Sequence, residues 1–78
     1  MKVRMSDLVR TNLGSPSVWE GVCVEGKKVV CHFRVGVLTI HRDDKKILST
    51  SKDDLDISGY LSDEDLVMML KRNDLLQE

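Results

Sequence analysis

The sequence is poor in aromatic residues, has a single proline and contains no long apolar run. Its 78 residues include one Trp, one Tyr and one Phe, too few for the aromatic platforms on which single-stranded nucleic acids stack. No apolar stretch approaches the roughly 18 residues of a membrane-spanning helix. The 12 basic and 13 acidic side chains leave a net charge of −1, whereas dedicated nucleic-acid-binding domains are strongly basic. The composition therefore argues against a membrane protein and disfavours nucleic acid as a partner.

Cysteine is also scarce, since only Cys23 and Cys31 are present, and the chain is not a disulfide-stapled domain. The amino terminus has no apolar stretch of the kind found in secretory signals. We therefore expect a cytoplasmic protein in which both thiols are free and buried. A zinc site at Cys31 and His32 is not expected, because adjacent residues of a strand point to opposite faces.

The residues that are present favour one small α+β domain over 1–78. Hydrophobic residues make up 41% and charged residues 32% of the chain, which is typical of a soluble globular domain. Residues 17–51 are rich in β-branched residues and predict an antiparallel β-meander, whereas 62–76 predict a helix. An N-terminal segment, 1–16, precedes the meander, and an acidic loop, 52–61, follows it. We predict a small curled sheet of about four strands with one C-terminal helix packed on one face.

The turns of the meander predict which residues share a face. A three-residue loop after Val24 would pair Trp19 with Phe33, and a tight turn at Val35-Gly36 would pair Phe33 with Leu38. One long strand kinked at Gly36 is the alternative. The predicted core face carries Trp19, Gly21, Cys23, Val29, Cys31, Phe33, Leu38 and Ile40. The other face carries Glu20, Val22, Val30, His32, Arg34, Thr39 and His41. A fourth strand is predicted over 47–51, and residues 5–10 fit either an edge strand or one helical turn.

The helix has a clear predicted start. Ser62 is a good N-cap, with acidic residues filling the first turn, where the helix dipole favours negative charge. Leu61 and Leu66 are spaced for a hydrophobic staple. Asn73-Asp74 is a candidate end, which would leave Leu75 and the following leucine to pack on the core or to contact a partner.

One run carries a possible chemistry of its own. Over 54–65, oxygen donors fall at the first, third and fifth positions, glycine takes the sixth, and an acid takes the last. This run resembles the calcium loop of an EF-hand. The resemblance implies Ca²⁺ or Mg²⁺ binding through Asp54, Asp56, Ser58, Tyr60 and Asp65. The run departs from the EF-hand pattern in two ways. Asp65 is shorter than the usual Glu, and residues 47–52 predict a strand and a loop rather than an incoming helix. The same run also fits an ordinary acidic loop before a capped helix.

The polar face of the predicted sheet offers a second candidate. In the predicted register Glu20 lies opposite His32, and His41 is a diagonal neighbour. Such a set could in principle hold a transition metal or perform acid–base chemistry. An exposed sheet face carries polar residues in any case, and no nucleophile accompanies them. We therefore expect no catalytic activity.

The sequence thus predicts a small non-enzymatic protein-binding or regulatory module, of the adaptor or inhibitor type, without a cofactor. Its expected partner is another protein or its own copy. The candidate binding residues are Trp19, His32, Arg34, His41, Met68 and Leu75. A divalent-cation-binding protein is the alternative, and a nucleic-acid-binding accessory protein is the third interpretation.

Overall fold

The computed structural model describes residues 1–51 and 60–77 and has five antiparallel strands and one helix. The elements are β1 (Val3–Asn12), β2 (Ser17–Cys23), β3 (Lys28–Arg34), β4 (Val37–Arg42), β5 (Lys45–Ser51) and α1 (Asp63–Arg72). The strands lie in one sheet in the order β1-β2-β3-β4-β5. The predicted α+β class is confirmed, with one more strand than expected. No helix in the described part of the chain has the length and apolar character needed to cross a bilayer.

The additional strand is β1, which settles the question left open for residues 5–10. Val3 and Leu8 both reach the core, although they are five positions apart and an odd spacing in a regular strand would place them on opposite faces. A bulge permits this, because the register passes from Val3 opposite Cys23 to Leu8 opposite Gly21. The bulge breaks the period-two alternation by which a strand is recognised in a sequence.

The hairpin between β2 and β3 corrects the predicted register. The Gly26 N–H donates to the Cys23 carbonyl at 2.9 Å, and Gly26 has a φ of +83°, so the loop is centred on Glu25 rather than on Gly26. Trp19 therefore pairs with Cys31 and not with Phe33. The shift is two residues along the partner strand, so every side chain keeps its predicted face.

The β3–β4 and β4–β5 hairpins have two-residue turns with left-handed backbone. Val35 and Gly36 have φ values of 53° and 76°, and Phe33 pairs with Leu38 as predicted. A kinked long strand is thereby excluded. Asp43 and its neighbour have φ values of 49° and 67°, so β5 begins at Lys45, earlier than predicted.

The helix α1 covers the core face of the sheet through Leu66, Met69 and Leu70, all of which are buried. Its predicted cap is present, because the Asp65 N–H donates to Ser62 Oγ at 3.1 Å. The rest of the core is formed by Val3, Leu8, Trp19, Cys23, Val29, Cys31, Phe33, Leu38, Ile40 and Leu61. Both cysteines are free and buried, as predicted.

The helix ends at Arg72 with Asn73 as its C-cap, at the candidate end Asn73-Asp74 and short of residue 76. Asp74 turns the chain with a φ of 57°, and the following residues pair with the start of β1. The Val3 N–H donates to the Leu75 carbonyl at 2.8 Å, and the Gln77 N–H donates to the Val3 carbonyl at 2.7 Å. Leu75 is half-buried and packs against the core, and its contact with a partner stays a prediction.

A substitution at Gly21 tests the close approach of β1 to β2. A Cβ at this position would overlap the carbonyl oxygen of Asp7 in the β1 bulge, so Gly21→Ala must displace backbone. We expect a loss of about 1–3 kcal/mol in the free energy of unfolding, measured by urea denaturation. Gly14→Ala is the matched control, because a Cβ there meets nothing within 4 Å, and we expect a change within about 0.5 kcal/mol. Equal stability of the two variants would show that the bulge does not press against Gly21.

Candidate functional site

A cleft opens between the bulge of β1 and the first turn of α1. Its volume is about 500 Å³, and its lining residues are Met5, Ser6, Leu8, Arg10, Trp19, Asp63, Glu64 and Val67. The bulge creates this space, because residues 4–7 of β1 stand against residue 22 alone on β2. Bulges are frequent beside functional sites, where they redirect side chains away from a regular ladder. We call this space the β1–α1 cleft.

Arg10 forms one end of the β1–α1 cleft and is tied to the start of the helix. Its Nη2 donates to the Leu61 carbonyl at 2.6 Å and to Asp63 Oδ1 at 3.0 Å. The guanidinium carbon lies 4.2 Å from the centroid of the Trp19 ring and 5.4 Å from that of Tyr60. The Nη1 group is buried and makes no hydrogen bond with any described residue. Burying this group without a hydrogen bond costs free energy, and the contact of the guanidinium with two aromatic faces offsets part of that cost.

Asp63 is held as a carboxylate at the rim of the cleft. The Trp19 Nε1–H donates to Oδ1 at 2.9 Å, and Arg10 donates to the same oxygen. These hydrogen bonds, first that of Trp19 and then that of Arg10, lower the pKa of Asp63 below its ordinary value. Asp63 also begins α1, where the helix dipole favours a negative charge.

The backbone of Leu61 is fixed from two strands at once. Its N–H donates to Ser17 Oγ at 2.9 Å, while its carbonyl accepts from Arg10. Ser17 is fully buried, and its hydroxyl donates to the Gly14 carbonyl at 3.0 Å. Because β1 and β2 both hold the residue that leads into α1, the cleft walls are positioned before any ligand arrives.

The cleft has an apolar floor and a charged rim. The floor is formed by Met5, Leu8, Trp19 and Val67, while Asp63 and Glu64 stand at the exposed side. Arg10 is the single cation among the described lining residues, and it is committed to Asp63 and to the Leu61 carbonyl. The rim therefore presents net negative charge next to apolar surface.

The residues predicted to bind a partner lie on different parts of the molecule. Trp19 is 1% exposed and lines the cleft. Met68 is 45% exposed on α1. His32, Arg34 and His41 lie on the face of the sheet opposite the helix. The fold therefore does not bring the predicted binding residues together in one site.

The predicted pairing of Glu20 with His32 is wrong. Glu20 lies opposite Val30, and His32 lies opposite Val18, as follows from the corrected β2–β3 register. His32 lies opposite Thr39, as the predicted pairing of Phe33 with Leu38 requires. The three ionisable side chains are thus spread over the sheet instead of converging on one point.

Half of the EF-hand-like run lies outside the described residues, including Asp54, Asp56 and Ser58. Tyr60 contacts Arg10 with its ring, and the Asp65 N–H serves the helix cap. Within 1–51 and 60–77, no group of three or more His, Cys, Asp or Glu side chains could hold a metal ion. Binding of Ca²⁺ or Mg²⁺ by this run stays a prediction.

Sequence reasoning missed Arg10 and Asp63 as a pair, because 53 positions separate them and no local pattern links them. Asp63 was interpreted only as a first-turn acid that favours the helix. Comparison of the chain with protein-family models, with curated proteins and with solved structures found no match. The functional argument therefore depends on the geometry of these residues.

The lowered pKa of Asp63 predicts a pH-dependent contribution to stability. The contribution is present above the unfolded pKa of about 3.9 and is lost as the pH falls through the lower folded value. We expect Asp63→Asn to reduce the free energy of unfolding at pH 7 by no more than about 1 kcal/mol, because the side chain is 67% exposed. The difference from the unsubstituted protein should shrink as the pH falls below about 4.

Glu64→Gln is the control for Asp63→Asn, since it removes the same charge from the same helix turn. Glu64→Gln should reduce the free energy of unfolding at pH 7 by less than Asp63→Asn does, because Glu64 accepts no hydrogen bond from Arg10 or Trp19. Urea denaturation at several pH values measures both variants. Equal losses would reduce the role of Asp63 to an interaction with the helix dipole.

Proposed function

We propose that this chain is a small non-enzymatic protein-binding module of the adaptor or inhibitor type. In this proposal, an extended segment of another protein lies along the edge of β1 and places one side chain in the β1–α1 cleft. The observation that carries the proposal is the cleft itself, an open space with an apolar floor beside an edge strand. Extended peptides commonly bind at an exposed sheet edge, with pockets for alternate side chains providing specificity.

The chain already uses the edge of β1 for main-chain pairing. Its own C-terminal residues form a parallel bridge between Val3 and Leu76. Beyond the bulge, the regular part of β1 from Leu8 to Arg10 pairs with β2 and with no other strand among residues 1–51 and 60–77. Val9 and Leu13 lie at this end with 66% and 73% of their surfaces exposed, the largest fractions among the large apolar side chains of the described residues. Exposed apolar groups beside an open edge favour a partner strand.

The other edge of the sheet is less suited to such pairing. The strand β5 has a register irregularity between the positions opposite Ile40 and His41, and it begins with Lys45 and Lys46. Bulges and lysines are devices by which edge strands avoid unwanted pairing. Although β1 also has bulges, the first of them opens the cleft rather than closing the edge.

The rim charge indicates which side chain would enter the cleft. A lysine or arginine has an aliphatic stem that can lie on the floor formed by Met5, Leu8 and Val67, with its charge next to Asp63 and Glu64. A carboxylate would meet like charge at the same place. The proposed segment is therefore apolar and basic in character.

The proposed lack of catalysis is supported by the placement of the reactive groups. Burial raises the pKa of the Cys31 thiol to about 12, so it is not a thiolate nucleophile at neutral pH. Cys23 is also buried. The two histidines lie on the open sheet face and not in the cleft, so they cannot act on a group bound there.

Selection from a random peptide library, followed by calorimetric titration of the selected peptide, tests this proposal. We expect selected peptides to combine apolar residues with lysine or arginine. Glu64→Lys should weaken their binding by about threefold to tenfold, because it reverses a rim charge that is exposed to solvent. Arg34→Glu is the control on the opposite face and should leave the affinity unchanged. Failure to select any peptide, or an equal loss in both variants, would contradict the proposal.

A further inference from the structure

The face of the sheet opposite α1 is a second surface of distinct chemistry. Five valines lie on it, with two histidines and charged groups between them. Its apolar members are Val9, Val18, Val22, Val30 and Val37. The helix packs only on the other side, where the buried residues of β2, β3 and β4 lie. We call this surface the open sheet face.

The charge of the open sheet face is positive, although the chain as a whole has a net charge of −1. The central strand β3 presents Lys28, Val30, His32 and Arg34 there in alternation. Lys28 and Arg34 are exposed, and neither forms an ion pair with a described residue. Among the residues of β2 and β4 that pair with β3 on this face, Glu20 is the acidic one. The positive charges of Lys28 and Arg34 thus lie on the middle strand without an ion pair to a carboxylate of the described residues.

We propose that the open sheet face binds an acidic segment of a protein, as a site separate from the β1–α1 cleft. Charge complementarity selects the occupant: carboxylates pair with Lys28 and Arg34, while apolar side chains contact Val30 and its neighbours. Opposite potentials across an interface provide specificity and fast association. The inference stands independently of the peptide proposed for the cleft, whose character is basic.

Two other occupants fit the open sheet face less well. Face-to-face pairing of two copies would bring Lys28 and Arg34 of one copy towards the same cations of the other, and like charges oppose association. Single-stranded nucleic acid usually stacks its bases on aromatic side chains. Trp19 and Phe33 are both buried on the core side, so the face offers valines in their place.

A pair of matched synthetic peptides tests the proposal. One alternates glutamate with leucine, and the other has lysine in place of glutamate. In fluorescence anisotropy titrations with the full chain, we expect the acidic peptide to bind at least about tenfold more tightly than the basic one, and its affinity to fall as salt is raised. The double variant Lys28→Glu with Arg34→Glu should lose that binding. Both side chains are exposed, and an unchanged melting temperature would show that the variant is folded.

Glu64→Lys is the control, because it changes a charge on the rim of the cleft and should leave binding of the acidic peptide intact. Tighter binding of the acidic peptide in Glu64→Lys, with the double variant unaffected, would assign that peptide to the cleft and overturn the proposal. Equal affinity for the two peptides would also overturn it. A single-stranded DNA oligonucleotide that binds more tightly than the acidic peptide and is lost in the double variant would make the face a nucleic-acid site instead.

Discussion

The connection between Leu61 and the first two strands is the contact on which the rest of the structure depends. A helix of ten residues is too short to be stable alone in water, so its place must come from packing and from its ends. Arg10 and Ser17 hold the carbonyl and the N–H of Leu61, respectively. The bond from Arg10 is charge-assisted and contributes about 1.5–3 kcal/mol by itself. With the entry residue fixed, α1 lies across the core face through its buried residues, and the β1–α1 cleft follows from that position.

The same arrangement gives the molecule two surfaces of opposite charge. The helix brings Asp63 and Glu64 to the cleft, while the sheet face that it leaves uncovered carries Lys28 and Arg34. A chain of nearly zero net charge can therefore attract a basic segment at one site and an acidic segment at the other. The two proposals together describe an adaptor, in which binding at one surface leaves the other accessible.

Local patterns predicted the parts of the fold that local interactions determine. The turn at Gly36, the cap at Ser62 and the face of each residue in β2, β3 and β4 follow from turn chemistry and alternation. For residues 5–10 the sequence could not decide between an edge strand and a helical turn, because the bulge of β1 disrupts the alternation. The cleft could not be predicted either, since it depends on that bulge and on the contact of Arg10 with Asp63, which are distant in sequence. Trp19 was identified as a candidate binding residue, but its place on a cleft floor required the fold.

Mapping of backbone amide chemical shifts during titration with a peptide selected on this protein tests the central claim most directly. The claim is that a partner segment lies along β1 and fills the β1–α1 cleft. It predicts that the largest chemical-shift changes fall on residues 5–10 and 63–67. It also predicts that backbone amides around Val9 become protected from hydrogen exchange when the peptide binds. Shifts centred on Val30 and His32, with residues 5–10 unchanged, would contradict the claim and place the peptide on the open sheet face.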